Sequence, residues 1–94
     1  MTMSIKLDHH HRHTVEQIFG HPIGHNIQWR DVICLLERFG EVHESHRGAW
    51  AFTIDGSTTS FGRTRGRDLL ENQVIRVRHL LQDLGVSPRG EIAA

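Results

Sequence analysis

Arg63, Arg65 and Arg67 occupy alternate positions in the run Gly62-Arg63-Thr64-Arg65-Gly66-Arg67-Asp68, where every residue between them is small. A guanidinium is permanently charged and presents a planar fork of donors that matches phosphate oxygens. Together with Arg78, and with Arg47 and Arg76 alongside, these side chains are the candidate set for a nucleic-acid backbone. A bland reading stands beside it, a solvated loop whose arginines pair with Asp68, Glu71 and Glu44.

The chain also carries nine histidines, which make its net charge sensitive to pH near the ordinary imidazole range. His9, His10, His11 and His13 lie in one tract, and imidazole suits Zn, Cu and Ni. A tail with no fixed surroundings would bind such ions weakly and without selectivity, so no metal site is assigned. His21 with His25, or His43 with His46, complete no four-ligand spacing, and Cys34 is the one thiol. Cys34 falls next to an apolar helical stripe and is expected to be a small, partly buried hydrophobe. No Gly-rich phosphate loop and no Ser/His/Asp set at a known spacing is present, and no cofactor is called for.

A chain of 94 residues suits a single domain with a modest core. Eleven basic and eleven acidic side chains cancel, so any affinity for nucleic acid must come from local clustering. One cysteine excludes an internal disulfide and fits a reducing compartment. With no signal-peptide pattern and no apolar run of membrane-spanning length, the expectation is a small cytoplasmic protein.

The elements that must hold these residues can be read from turns and periodicity. Asp55-Gly56 is a type I′ turn signal, and it sets Ile54 against Ser57, Phe52 against Thr59 and Trp50 against Phe61. Trp50, Phe52, Ile54 and Phe61 then share an apolar face, while Ala49, Ala51 and Thr53 take the other. Parity selects a three-residue His46-Arg47-Gly48 loop before it, because only that length puts Val42 opposite Phe52 and Glu44 opposite Trp50. Thr14 with Gln17 resembles a capping box for a short helix from Val15 to Phe19. Apolar spacing predicts a second helix over Gln28–Phe39, ended by a left-handed Gly40, and a third from a cap at Asp68, with Glu71, through Leu84 to Gly85. The expected fold is therefore α+β: a three-stranded antiparallel meander covered on one face by helices, in the order α-α-β-β-β-α. Residues 1–13 are expected to be a disordered His-rich tail, residues 14–85 the domain, and residues 86–94 a frayed end.

This order, with Trp29-Arg30-Asp31-Val32, Leu35-Leu36-Glu37, Phe39-Gly40, the Gly48 turn, the Arg-rich loop ending in Asp68-Leu69, and Val77-Arg78 with Leu81 and Gly85, resembles the HicA family of bacterial toxins. The resemblance covers about residues 27–85. It implies a double-stranded-RNA-binding-domain-like fold, messenger-RNA interferase activity and a HicB-like antitoxin partner. In that family the turn glycine is followed by Ser and then the catalytic His; here Gly48 is followed by Ala49 and Trp50. An indole exchanges no proton near neutral pH, and loss of a positioned acid or base costs about 10²- to 10⁴-fold in rate. The leading expectation is thus an RNA-binding or antitoxin-binding domain with weak or no nuclease activity, using Arg63, Arg65, Arg67 and Arg78, with Trp50 capping the core or stacking a base. Two alternatives accompany it: an interferase that recruits His43 or His46, and a protein-interaction module that pairs through its sheet edges.

Overall fold

Asp55 and Gly56 both adopt positive φ, 50° and 81°, as a type I′ turn requires, and the hairpin they close is the frame of the molecule. The computed structural model describes residues 7–24, 26–63 and 66–89. They form α1 (His9–Phe19), α2 (Trp29–Leu36), β1 (Glu41–Glu44), β2 (Ala49–Ile54), β3 (Ser57–Arg63) and α3 (Glu71–Asp83). The strands make one open antiparallel sheet, ordered β1-β2-β3, so the fold is α+β with the order α-α-β-β-β-α.

The first hairpin follows the parity argument. Ser45 N–H donates to Ala49 O at 2.8 Å, which leaves His46-Arg47-Gly48 as the loop and pairs Val42 with Phe52 and Glu44 with Trp50. In the second hairpin the expected register holds from Ile54–Ser57 to Ala51–Ser60 and then slips, so that Trp50 faces Gly62 and not Phe61. The slip is a bulge. Gly62 takes φ 80°, a left-handed conformation open to glycine at no steric cost, and this lets one extra residue enter β3. Phe61 still points inward and meets the Trp29 ring edge-on at 6.1 Å. Gln73, buried on α3, holds the bulge by donating to Phe61 O and Arg63 O, while its carbonyl accepts Leu70 N–H at 2.8 Å.

Phe52 is fully buried at the centre of the sheet's apolar face, and Val32, Leu35 and Leu36 of α2 and Val74, Val77 and Leu81 of α3 join it in the core. Burying each side chain of this size contributes about 1.5–3 kcal/mol. On the opposite face Thr53 and Thr58 hydroxyls meet at 3.0 Å.

Several boundaries differ from expectation, each for a local reason. Within the expected tail, residues 9–13 are helical and Leu7 is buried in the core; residues 1–6 lie outside the described residues. Asp8, not Thr14, is the N-cap of α1, accepting His11 N–H at 2.9 Å. Thr14 is inside the helix, where its hydroxyl bonds back to His10 O at 3.2 Å. The cap of α3 is Leu70 with Gln73 rather than Asp68 with Glu71, because Asp68 is drawn into a bridge with Gln28. At the other end Gly85 N–H reaches Gln82 O and Val86 N–H reaches Leu81 O, a Schellman ending that buries Val86, so the frayed segment does not begin there. Residues 90–94 of that segment lie outside the described residues. Cys34 is exposed, not partly buried. Gly40 lacks the left-handed φ expected of it; a Cβ there would meet Thr53 O at 2.5 Å and Phe52 Cζ at 2.9 Å, so it is small because β2 passes against it.

Candidate functional site

At the end of the sheet beside the β1–β2 loop, three parts of the chain converge on one groove. Cross-strand pairing sets Glu44 beside Trp50 on the inward face, with Cβ atoms of such pairs about 4.5–5.5 Å apart. The N-terminal part of α2 contributes Trp29, Arg30 and, one turn on, Ile33. Arg67 arrives from the third part, carried by two backbone bonds that clip residues 67–69 onto residues 27–29: Trp29 N–H to Arg67 O and Leu69 N–H to Ile27 O, both 2.8 Å. The groove is open on one side and holds about 310 Å³, at the lower end of the roughly 300–1,000 Å³ typical of ligand sites.

Its chemistry is aromatic and charged. Trp50 is half-buried, anchored on the core with the rest of its surface open. Trp29 is buried, and its indole N–H has no acceptor among the described residues. The Arg30 guanidinium is 84% exposed and reaches Asp31 Oδ1 only at 3.8 Å, a contact worth well under 1 kcal/mol at such exposure. Among the described residues two cations thus flank the groove, and Glu44 is the one acid lining it.

The residues singled out from the sequence are not brought together as one patch. Arg67 lines the groove. Arg63 pairs with Ala49 across the strands, which turns it toward the opposite face of the sheet. Arg65 lies outside the described residues. Arg78 has a different task from the phosphate contact expected of it: its guanidinium crosses from α3 to the end of α1, donating to Ile18 O at 3.0 Å and Gly20 O at 3.3 Å. Arg76 likewise donates to Ser60 O at 2.9 Å, and Arg47 stands in the exposed β1–β2 loop.

Neither candidate histidine lines the groove. His43 is cross-strand from Ala51, on the face away from Trp50, with Nε2 3.3 Å from Glu41 Oε2. His46 is exposed in the loop. Among the described residues no three His, Cys, Asp or Glu side chains converge as metal ligands, and no helix is long and apolar enough to cross a membrane. Sequence reasoning missed Arg30 and Gln28 as groove residues; the adjacency of Trp29 and Arg30 was visible, but the clip that brings Arg67 to them was not.

The architecture defines the class of protein, a small α+β domain with three helices and a three-stranded open sheet. Beyond that, no protein-family model matches the chain, and neither a curated protein nor a solved structure is found to be similar to it.

Proposed function

We propose that this protein binds RNA through the groove at Trp50 and has little or no nuclease activity. The observation that carries the reading is the meeting of an open indole, Trp50, with the cations of Arg30 and Arg67 in one cavity. Aromatic faces stack unpaired bases with about 1–3 kcal/mol each, and guanidinium groups neutralise phosphates, so the pair forms the minimal equipment for a single-stranded segment. The HicA resemblance expects its catalytic imidazole at position 50, and among the described residues no histidine lines the cavity. The interferase alternative gains nothing from His43 or His46, which stand away from the groove.

Edge pairing is also less favoured. On β3 the carbonyls of Ser60, Phe61 and Arg63 are engaged by Arg76 and Gln73. That leaves β1, four residues long with Glu41, His43 and Glu44 exposed, a length and charge that discourage pairing with another chain.

The test is RNA affinity as a function of salt. Single-stranded RNA should bind with log affinity falling by about 0.7 per log unit of salt for each phosphate neutralised, and Arg67→Ala and Arg30→Ala should each lessen that slope by about one phosphate. RNA incubated with the purified chain should stay intact, and Trp50→His should raise cleavage if position 50 corresponds to the family's histidine. An antitoxin-binding role predicts the opposite pattern, retention of a protein partner with no RNA affinity at low salt.

A further inference from the structure

We infer that the groove selects guanine, with the Glu44 carboxylate reading the base that stacks on Trp50 while Arg67 and Arg30 hold its phosphates; this rests on the RNA-binding reading above. An acid in a groove meant for a polyanion is otherwise a liability, because it repels the phosphates that the flanking arginines attract. The Glu44 carboxylate makes no ion pair or hydrogen bond with the described residues, Arg30 and Arg67 included, and so is open to a ligand. Its cross-strand position beside Trp50 sets it at the rim of the cavity that the indole helps to wall.

An ionised carboxylate only accepts hydrogen bonds, through two oxygens side by side. Among the four RNA bases, guanine alone presents two adjacent donors on its Watson–Crick edge, N1–H and the N2 amino group, and so satisfies both oxygens at once. Adenine and cytosine offer one amino donor next to a ring-nitrogen acceptor, and uracil one N–H between two carbonyls. Each of these sets a lone pair against a carboxylate oxygen. The discrimination expected of a bidentate contact of this kind is about 5- to 160-fold.

The experiment uses the full chain and fluorescently labelled RNA hexamers, oligouridine with the base at one central position varied, read by anisotropy at low salt. The guanine-containing hexamer should bind roughly tenfold more tightly than its adenine, cytosine and uracil counterparts. Glu44→Gln should bring the hexamers within about twofold of one another and raise oligouridine affinity, because a repelling charge is removed. Glu44 is exposed, so the variant should melt as the parent does, and a thermal scan verifies it. Equal affinity for all hexamers in the parent chain, or a guanine preference that persists in Glu44→Gln, overturns the guanine assignment and leaves RNA binding standing. Absence of binding to any hexamer at low salt overturns the RNA reading and the guanine assignment together.

Discussion

Gly20 and Gly40 each follow a helix and look alike in the sequence, yet adding one methyl group should have opposite effects at the two positions. At Gly40 a Cβ would lie 2.5 Å from Thr53 O, 2.9 Å from Phe52 Cζ and 3.1 Å from Ile54 Cβ. Thr53 O belongs to β2, the central strand, so it cannot withdraw without disturbing the sheet on both sides. Relief requires a shift of more than half an ångström between α2's end and the strand. Overpacking of this kind costs about 1–3 kcal/mol, against which reduced freedom of the unfolded chain returns about 0.4–1 kcal/mol. With the strand's own backbone at 2.5 Å the cost falls in the upper half of that range, so Gly40→Ala should lose about 1–2.6 kcal/mol net, a fall in Tm of about 4–20 °C for a domain of this size. At Gly20 the nearest atoms to a Cβ are Gln17 O and Glu16 O at 3.4 Å, and φ is −66°. Only the unfolded-state term remains, and Gly20→Ala should be neutral or up to about 1 kcal/mol more stable. Urea unfolding followed by tryptophan fluorescence, with far-UV circular dichroism as a second probe, measures both. A Gly40→Ala chain as stable as the parent, or a Gly20→Ala chain the weaker of the two, would refute the close-approach argument.

Two other perturbations test assignments made above. Arg78→Met removes the guanidinium from Ile18 O and Gly20 O; charge-assisted bonds of this type, discounted for partial exposure, are worth about 1–2 kcal/mol, while RNA affinity should stay within about twofold. A stable Arg78→Met protein with a reduced salt slope would return Arg78 to the phosphate set. The Asp8 carboxyl is held below its ordinary 3.8, chiefly by the hydrogen bond from His11 N–H, so the ionised form is favoured in the folded chain. Its contribution is complete above the ordinary value and is lost as pH falls through the lowered one. Parent and Asp8→Asn, which keeps a cap acceptor but not the charge, should accordingly converge in stability as pH falls from about 5 through the lowered value, and a difference that stays constant would contradict the preference for the ionised form.

Much of the architecture was legible because it is set by neighbours a few residues apart. Asp55-Gly56 and Gly48 dictate turn geometry within four residues, and side-chain alternation then determines which of Val42, Trp50, Phe52 and Ile54 face inward. Helical spacing likewise predicts an apolar stripe through Val32 and Leu36 and another through Val74, Val77 and Leu81, and all five are buried. Tertiary contacts decided what those rules do not reach. Competition among caps favoured Asp8 over Thr14 and Gln73 over Asp68 because Leu7, Thr14 and Gln73 are buried, and burial is a property of the whole fold.

The groove shows the same division. Glu44 beside Trp50 follows from one hairpin's register, whereas Arg67 reaches them through the clip onto residues 27–29, some forty positions away in the chain. Arg67 and Arg78 look equivalent on paper, as two arginines in polar stretches; one opens on a cavity and the other bonds carbonyls of a helix 58 and 60 residues earlier. Local chemistry selects conformations over a few residues, and so the hairpins and helices are written in the sequence. Which charge remains free to meet a ligand depends on what distant backbone lies within 3 Å of it, and only the packed chain determines that.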